Sequence, residues 1–330
     1  MIDIKNLKIN LENIIPLCEK VIIVPHKFAD FDAIGSAIGL SLLARKFKKP
    51  SYIIDNDPLD KMEAGVKIIV DETSKEFNII NRDKYLNLSL NDNNLFILTD
   101  VNKKYLIYLE DLINNPDKTF ILDHHEADNN TLESNYKYID PSASSASEIV
   151  TKLLSLSKIK IPSNVAKYLL AGIYLDTNKL TKNVTSETMK MVAKLLESGA
   201  VMSDVINLFK EDYYSDRRVQ ELVSKIKMFN YSLAVIVANN EDEYSREELA
   251  KAADYALKYG CDGVFSVGNI GDNTISISAR SNSGVNVGMI MQELGGGGNQ
   301  FSGATKIINS TSEEVGEKLK NILTPRYYNR

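Results

Sequence analysis

A short segment near the N-terminus concentrates side chains of the kind that bind metal ions. His26, Asp30 and Asp32 fall within seven residues, directly after the apolar run Val21–Val24. Removing an imidazole and two carboxylates this close together from water is energetically unfavourable unless a cation neutralises them. The alternative is that Asp30 caps the following helix and Asp32 favours its dipole. The segment alone leaves both interpretations open.

Two further apolar runs end in residues of the same type. Leu95–Thr99 is followed by Asp100, and Phe120–Leu122 is followed by Asp123–His125. All three histidines of the chain therefore follow predicted strands. Ligands of parallel sheets bind at the carboxyl ends of the strands, so we expect these side chains to meet at one edge.

Asp176 is a further candidate because it continues the apolar face of the predicted helix Val165–Asp176. A carboxylate buried there is strongly unfavourable unless a charge partner or a metal receives it. Alternatively, the helix has ended by Asp176 and its side chain reaches solvent.

Together these segments supply six candidate ligands with oxygen and imidazole donors. They are His26, Asp30, Asp32, Asp100, His124 and Asp176. Such a set suits two divalent ions about 3.5–4 Å apart, bridged by a carboxylate, and paired ions of this kind activate water for in-line displacement at phosphorus. The donors favour Mn²⁺, with Mg²⁺, Co²⁺, Fe²⁺ or Zn²⁺ as alternatives.

Strands and helices alternate in the part of the chain that must position these ligands. The predicted strands are Val21–Val24, Tyr52–Ile54, Leu95–Thr99 and Phe120–Leu122, and the predicted helices are Ala33–Phe47 and Tyr105–Ile113. This alternation predicts an α/β fold with a mostly parallel sheet covered by helices.

The second half of the chain changes pattern. Residues 186–228 are predicted to be wholly helical, with Gly199 as a helix stop. Beyond them we predict a smaller α+β domain with strands Leu233–Ala238, Val264–Val267, Thr274–Ala279 and Thr305–Ile308 and helices Arg246–Tyr259, Val287–Leu294 and Glu313–Ile322. The predicted organisation is a metal-binding domain at 1–185, a helical connector at 186–228 and a substrate-binding domain at 229–330.

Composition and charge narrow the class of protein. The chain is 44% hydrophobic and 25% charged, which is typical of a globular protein. Its net charge of −5 argues against binding to duplex DNA. Cys18 and Cys261 form no CxxC pair, which favours a reduced, cytoplasmic protein. No apolar run approaches the roughly 20 residues that span a bilayer, so no membrane segment is predicted.

In order, these motifs resemble those of the DHH/DHHA1 phosphoesterase superfamily. The residues that match its DHH motifs are His26, Asp30, Asp32, Asp100, Asp123, His124, His125 and Asp176. Ser278–Ser281, Val285–Val287 and Leu294–Gly298 resemble its glycine-rich substrate motif. The resemblance extends from about Val21 to Ile308.

The run Ile277–Gly298 is most similar to GdpP-type cyclic di-AMP phosphodiesterases. Nano-RNase relatives share the six metal-ligand positions but differ around Ser278–Ser281, the segment that contains Arg280. GdpP-type proteins carry membrane helices ahead of this unit, so we expect a stand-alone relative or the cytosolic part of a longer protein. The resemblance also implies a homodimer.

The resemblance implies roles for residues other than the six candidate metal ligands. Implied catalytic residues are Asp123, His125 and Asn299, and implied substrate contacts are Ser278, Arg280, Ser281, Asn286, Gly295, Gly296, Gly297, Gly298 and Asn299. Glycine lets backbone N–H groups approach an anion, although a flexible linker is the alternative. Arg280 would bind a second phosphate or stack on adenine, with a surface salt bridge as the alternative.

Two residues depart from the family pattern. Asn299 stands where the glycine motif has histidine, and Asn102 where close relatives often have histidine. Asparagine cannot carry charge or transfer a proton, so we expect a slow enzyme. The predicted function is hydrolysis of cyclic di-AMP to pApA, and further to AMP. The alternatives are a nano-RNase acting on short oligonucleotides or 3′-phosphoadenosine 5′-phosphate (pAp), and a weakly catalytic module that binds cyclic dinucleotides.

Overall fold

The computed structural model describes residues 3–58, 62–88, 93–210, 213–229, 232–282 and 284–327. The chain divides into two units, Met1–Lys210 and Glu211–Arg330. This boundary lies inside the predicted connector, residues 186–228.

A six-stranded parallel sheet, in the order β3-β2-β1-β4-β5-β6, forms the centre of the first unit. Its strands are β1 Lys20–Val24, β2 Ser51–Ile54, β3 Ile79–Ile80, β4 Asn94–Thr99, β5 Thr119–Asp123 and β6 Tyr136–Ile139. Ile23 on β1 lies opposite Ile53 on β2 and Ile97 on β4. The strand order reverses between β1 and β4, which is where open parallel sheets bind ligands.

Helices of the first unit frame this sheet. They are α1 Ile4–Ile14, α2 Phe31–Lys46, α3 Ala64–Thr73, α4 Arg82–Leu86, α5 Ala146–Leu156, α6 Ser163–Asp176, α7 Ser186–Glu197 and α8 Met202–Leu208, with 3-10 turns at Ile15–Leu17, Lys104–Leu106 and Pro116–Lys118. The predicted stop at Gly199 is confirmed: α7 ends two residues earlier and Gly199 has φ +98°.

Helix α2 lies at the centre of the unit. Every residue from Phe31 to Ala44 is buried, so α2 has no polar face. A Cβ on Gly35 would lie 2.6 Å from the carbonyl oxygen of Tyr168 on α6, so this position requires glycine. The close approach brings the start of α2 next to α6.

The predicted helix Tyr105–Ile113 is wrong. The segment contains a 3-10 turn at Lys104–Leu106 and a single further turn closed at Leu109 O, and two of its carbonyl groups accept hydrogen bonds from distant residues. Leu106 O accepts from Lys27 N at 2.6 Å, and Tyr108 O accepts from Arg82 Nη1 at 2.9 Å. The segment covers the second face of the sheet as irregular chain because these tertiary bonds replace helical ones.

The second unit contains a mixed sheet in the order β11-β12-β10-β9-β8-β7. Its elements are α9 Tyr213–Val223, β7 Ile226–Met228, β8 Leu233–Val237, α10 Arg246–Leu257, β9 Gly263–Asn269, β10 Thr274–Ser281, α11 Val287–Glu293, β11 Gly297–Gly298, β12 Ser302–Ile308 and α12 Ser312–Tyr327. The prediction of continuous helix up to Met228 is wrong, because β7 pairs antiparallel with β8. Within the described residues, none of the helices combines the length and apolar character needed to cross a bilayer.

Candidate metal centre

The carboxyl ends of three neighbouring strands bring predicted ligands to one edge of the sheet. His26 follows β1, Asp100 follows β4, and His124 follows β5. Asp100 has a left-handed backbone, with φ +57°, and its N–H donates to Leu122 O at 3.0 Å. Aspartate tolerates this conformation better than most residues, and the turn directs its carboxylate towards the two histidines.

The six predicted ligands fall into two of the three groups of close ligand atoms found among the described residues, and these two groups meet at Asp100. One group contains His26, Asp30 and Asp100, and the other contains Asp32, His124 and Asp176. The third group joins Asp100 and His124 to Asp123 and His125. Asp100 Oδ2 lies 3.5 Å from His26 Nε2, and Asp100 Oδ1 lies 3.3 Å from His124 Nε2. Each oxygen of Asp100 therefore faces one group, as a bridging carboxylate does in paired metal sites.

Unpartnered polar atoms indicate that this cluster is built for cations. Asp100 is 4% exposed, and neither its Oδ1 nor His124 Nε2 has a hydrogen-bond partner among the described residues. Buried polar atoms are nearly always hydrogen-bonded, so such atoms need an explanation. Carboxylate and imidazole donors fit divalent ions of the Mn²⁺ and Mg²⁺ type. The cluster could therefore bind divalent metal.

Without cations, protons must balance the charge of the cluster. Burial alone would lower the pKa of His26 and His124, but the negative charges of Asp100 and of other cluster carboxylates, close to both rings, raise both pKa values to about 11. Burial raises the pKa of Asp32 and Asp176, and the charge of Asp100 raises it further. Metal ions would take the place of these protons.

The N-terminus of α5 holds Asp32 in position. Asp32 Oδ1 accepts a hydrogen bond from Ser147 N, and Oδ2 accepts one from Ala146 N, both at 2.7 Å. The positive end of a helix dipole favours a carboxylate at this place. A Cβ on Gly172 would lie 2.6 Å from Asp32 Oδ1, so only glycine lets α6 pass this closely.

The two alternatives left open for Asp30 and Asp176 now have structural answers. Asp30 Oδ1 accepts hydrogen bonds from Asp32 N and Ala33 N, so Asp30 does cap α2 while its carboxylate lies among the ligand groups. Asp176 is the last residue of α6, and its Oδ2 lies 3.2 Å from His124 Nε2. Its carboxylate therefore belongs to the cluster.

Asp123 connects the exposed His125 to the buried edge of the sheet. Asp123 is fully buried, and its Oδ1 lies 2.9 Å from His125 Nδ1. Asn102 Nδ2 donates to Asp123 Oδ2 at 2.6 Å and to the carbonyl oxygen of His125 at 3.1 Å. The bond to Asp123 raises the pKa of His125. Asn102 therefore braces this pair, a role that its residue type did not reveal.

Motif residues of the second unit bond largely within that unit. Arg280 Nε lies 3.1 Å from Asp254 Oδ1, and its Nη1 lies 3.5 Å from Ser278 Oγ. Ser281 Oγ bonds to the carbonyl oxygen of Val285 at 2.8 Å. The alternative interpretation of Arg280, an ion pair, is thus present. The arginine side chain is still 25% exposed.

Side chains of two asparagines shape the loops around α11. Asn286 caps α11 by accepting a hydrogen bond from Met289 N at 3.1 Å. Asn299 Oδ1 accepts hydrogen bonds from Phe301 N at 2.8 Å and from Ser302 N at 2.9 Å. The carbonyl half of the Asn299 side chain is therefore used within its own turn.

The glycine run belongs to the fold of this unit and is not a flexible linker. Gly295, with φ +78°, and Gly296 donate their N–H groups to the carbonyl oxygens of Gln292 and Met291 and so close α11. Gly297–Gly298 forms β11 beside β12. At least two of the four glycine amides are therefore already paired within the unit.

The structure adds a residue that the sequence pattern missed. Asp57 follows β2 at the same sheet edge, and its carboxylate accepts hydrogen bonds from Phe28 N at 2.8 Å and Ala29 N at 2.9 Å. The Tyr108 hydroxyl also donates to it. A signal was available, since Asp57 comes shortly after a predicted strand, as the other acidic residues do.

Two family models match the chain in order. The DHH family, N-terminal domain, matches residues 20–173, and the DHHA1 domain matches residues 230–324. The chain belongs to the DHH/DHHA1 family. The family resemblance and the α/β fold predicted from the sequence are thereby confirmed. The cluster of candidate metal ligands lies in the DHH domain except for Asp176, which is three residues beyond the match.

Known proteins resemble the chain over nearly its whole length. It is 31% identical over 323 residues to the cyclic-di-AMP phosphodiesterase GdpP of Bacillus subtilis, which covers 95% of this chain and 49% of that protein. It is 25% identical over 331 residues to the bifunctional oligoribonuclease and PAP phosphatase NrnA of Mycoplasma genitalium, covering 94% of this chain and 96% of that protein. The chain spans 39–49% of the length of the first five curated relatives it matches.

A solved structure shares the fold. The exopolyphosphatase-related protein from Bacteroides fragilis superposes with a TM-score of 0.78 and 19% identity. The match covers 97% of both chains. At this identity the likeness concerns the fold.

Proposed function

We propose that the chain is a metal-dependent phosphodiesterase that hydrolyses cyclic di-AMP to linear pApA. The observation that carries this proposal is the position of Asp100, whose two oxygens face two separate ligand groups. The choice of cyclic di-AMP as substrate is supported by the 31% sequence identity to a cyclic-di-AMP phosphodiesterase, in an alignment that covers 95% of the chain.

The two ligand groups would hold one ion each, with Asp100 shared. His26 and Asp30 complete one set, and Asp32, His124 and Asp176 complete the other. Mn²⁺ is the ion we propose. When bound, two such ions lower the pKa of an attacking water and neutralise charge on phosphoryl oxygens. The chain positions its ligands through Asp57, which holds the loop before Asp30, and through α5, which holds Asp32.

His125 is proposed to contact the phosphate and to protonate the leaving 3′ oxygen. Its Nδ1 bonds to Asp123, which orients the ring, and the His125 side chain is 60% exposed. The raised pKa of His125 favours its protonated form, as a general acid requires.

Arg280 is proposed to bind a substrate phosphate. Its present partner, Asp254, is 56% exposed, and an exposed ion pair of this kind is weak. A phosphate can displace that carboxylate because it offers arginine stronger, bidentate hydrogen bonds. Ser278, Ser281, Asn286, Asn299 and the four glycines would then shape the site around it. The domain limits 1–185, 186–228 and 229–330, the homodimer and the cytoplasmic location stay predictions.

A nano-RNase or pAp phosphatase is the second candidate. It is favoured by the match to NrnA, which extends over 96% of that protein. Both candidates need the same cluster, so only the substrate distinguishes them.

A nucleotide panel tests the proposal. Cyclic di-AMP, cyclic di-GMP, pApA and pAp would be incubated with Mn²⁺ and either the wild type or Asp100→Ala. We expect cyclic di-AMP to be converted to pApA, with a loss of more than about a hundredfold in Asp100→Ala. Faster cleavage of pApA or pAp would support the second candidate. Binding of cyclic di-AMP without turnover would indicate a binding module, and activity that survives in Asp100→Ala would refute the metal mechanism.

A further inference from the structure

Phe28 combines an unfavourable backbone with an exposed aromatic ring. It lies between the proposed ligands His26 and Asp30, has φ +58°, and is 59% exposed. A bulky side chain rarely adopts the left-handed region, which glycine occupies without strain. The position therefore carries a residue that is poorly suited to its backbone.

The loop is held in this conformation from several sides. Asp57 accepts hydrogen bonds from the backbone N–H groups of Phe28 and Ala29, and the Tyr108 hydroxyl donates to the same carboxylate. The preceding N–H, of Lys27, donates to Leu106 O at 2.6 Å. Three successive amides are thus engaged, so the ring projects from a rigid segment and its exposure is imposed by the backbone.

Burial does not offset this strain, because most of the ring faces solvent. Phenylalanine also offers no atom to a metal ion, so the ligand cluster does not explain it. Strained residues that surroundings hold in place occur preferentially at functional sites. What an exposed, rigid aromatic ring beside a phosphodiester site can bind is the flat face of a nucleobase.

We infer that Phe28 is a stacking surface for a base of the substrate, and that it determines specificity for nucleotides. This inference rests on the proposed phosphodiesterase function. Phe28 belongs to the DHH domain and lies between two of the proposed metal ligands. Stacking is tolerant of base identity, so Phe28 selects bases over base-free phosphodiesters rather than adenine over guanine.

Steady-state kinetics on two substrates test the inference. The substrates are a dinucleotide, pApA or cyclic di-AMP, and the same diester with its bases removed. Phe28→Leu should raise the KM for the dinucleotide about tenfold, since base–aromatic stacking is of this order. We expect kcat, Mn²⁺ binding and the KM for the base-free diester to stay unchanged. Phe28→Tyr, which keeps the ring, should retain the wild-type KM.

Two controls separate stacking from a structural role. Tyr259→Ala removes a 66% exposed ring that follows α10, outside both motifs, and should change neither substrate's KM. Phe28→Gly should raise the dinucleotide KM without lowering the midpoint of thermal unfolding, because glycine adopts this backbone freely. A lower midpoint would mean that the ring stabilises the fold.

The outcomes also distinguish this inference from the proposed function. If the wild type cleaves dinucleotides and Phe28→Leu has an unchanged KM, or raises the KM of both substrates equally, only the stacking role is wrong. If the wild type cleaves none, a dinucleotide containing 2-aminopurine provides the test. Its fluorescence should be quenched by the wild type and by Phe28→Tyr, but not by Phe28→Leu; absence of quenching by the wild type would overturn the inference.

Discussion

The DHH and DHHA1 domains both carry motif residues, but they differ in how those residues are paired. In the DHH domain, buried Asp100 Oδ1 and His124 Nε2 lack hydrogen-bond partners among the described residues, and carboxylates crowd together. In the DHHA1 domain, Arg280, Ser281 and Asn299 bond within their own domain. The first arrangement is incomplete without a ligand, whereas the second is already stable.

This difference separates residues that disfavour folding when no ligand is bound from residues that stabilise their own domain. Buried, like-charged groups disfavour folding. They are therefore expected only at functional sites, where a bound ligand compensates their charge. Motif residues that also stabilise loops reveal less about chemistry, because their pairing alone explains them. We therefore expect changes in the DHH cluster to affect metal binding most, and changes in the DHHA1 motif to affect substrate affinity.

Among residues that are not themselves proposed ligands, the largest expected effect is that of Gly172→Ala. The new Cβ would lie 2.3 Å from Ser147 Oγ and 2.6 Å from Asp32 Oδ1, so α6 or Asp32 must move. Displacing a ligand in this way should weaken Mn²⁺ binding by about 10–100-fold. Isothermal titration calorimetry with Mn²⁺ measures the change.

Gly39→Ala is the matched control for that variant. Its Cβ would lie 2.7 Å from Val150 Cγ1, so it strains the packing of α2 but meets a side chain that can shift. It should lower the free energy of unfolding by about 1–3 kcal/mol while leaving Mn²⁺ affinity near that of the wild type. Equal affinity loss in both variants would show that general packing, and not Asp32, controls metal binding.

A second effect concerns pH in the metal-free protein. His26 and His124 have pKa values of about 11, against an ordinary 6.5. Between these limits the folded state holds protons that the unfolded chain has released, so the free energy of unfolding should fall as pH rises. Each histidine contributes up to about 1.4 kcal/mol per pH unit. Thermal unfolding in a chelator at pH 7, 8 and 9 measures the fall.

Mn²⁺ and one variant complete the pH experiment. Saturating Mn²⁺ should remove the fall, because the ions replace the protons. His124→Gln should make it shallower by removing one of the two groups. Unfolding midpoints independent of pH in the chelator would contradict the charge balance described for the cluster.

A third, smaller effect is expected at Arg280. Arg280→Ala should raise the substrate KM about tenfold without weakening Mn²⁺ binding, because the partners described for Arg280 include none of the proposed metal ligands. Asp254→Asn removes the partner but keeps the guanidinium, so its KM should not rise. Steady-state kinetics distinguish the two. A lower kcat with unchanged KM in Arg280→Ala would place the arginine in a different role.

The smallest effect should come from Asn299→His. Histidine restores a group able to carry charge, so turnover should rise a few-fold, offset in part by loss of the hydrogen bonds from Phe301 N and Ser302 N. Single-turnover rates of the wild type and Asn299→His measure it. Equal rates would show that the family histidine is not needed in this chain.

Sequence patterns were sufficient for much of the fold and the family. Buried parallel strands such as Val21–Val24 are short apolar runs, and the residues after them reach the same edge, so residue type and position indicated the cluster. Asp176 was found because the periodicity of α6 continues to its end. Both signals are local, and local signals can be recognised without knowledge of the tertiary structure.

Features determined by distant partners were missed. Tyr105–Ile113 has helical composition, but its carbonyl groups bond to Lys27 and Arg82. Asp57 accepts hydrogen bonds from backbone amides of a loop that lies 28 and 29 residues earlier in the chain.

Helix α5 was overlooked for a different reason, because a local signal for it was present. The side chain of Ser145 accepts a hydrogen bond from Glu148 N, which is a helix-start pattern that the sequence offers.

The hydrogen bonds between Asp32 and α5 connect two backbone amides to the charge of the ligand cluster. The amide protons of Ala146 and Ser147 are buried and each bonds to one carboxylate oxygen of a proposed ligand. Any change in the charge of that carboxylate alters the shielding of these two nuclei and their exchange with deuterium. With a diamagnetic ion such as Mg²⁺ or Zn²⁺ in place of Mn²⁺, nuclear magnetic resonance of two backbone amides can therefore follow occupancy of the cluster without a substrate or a dye.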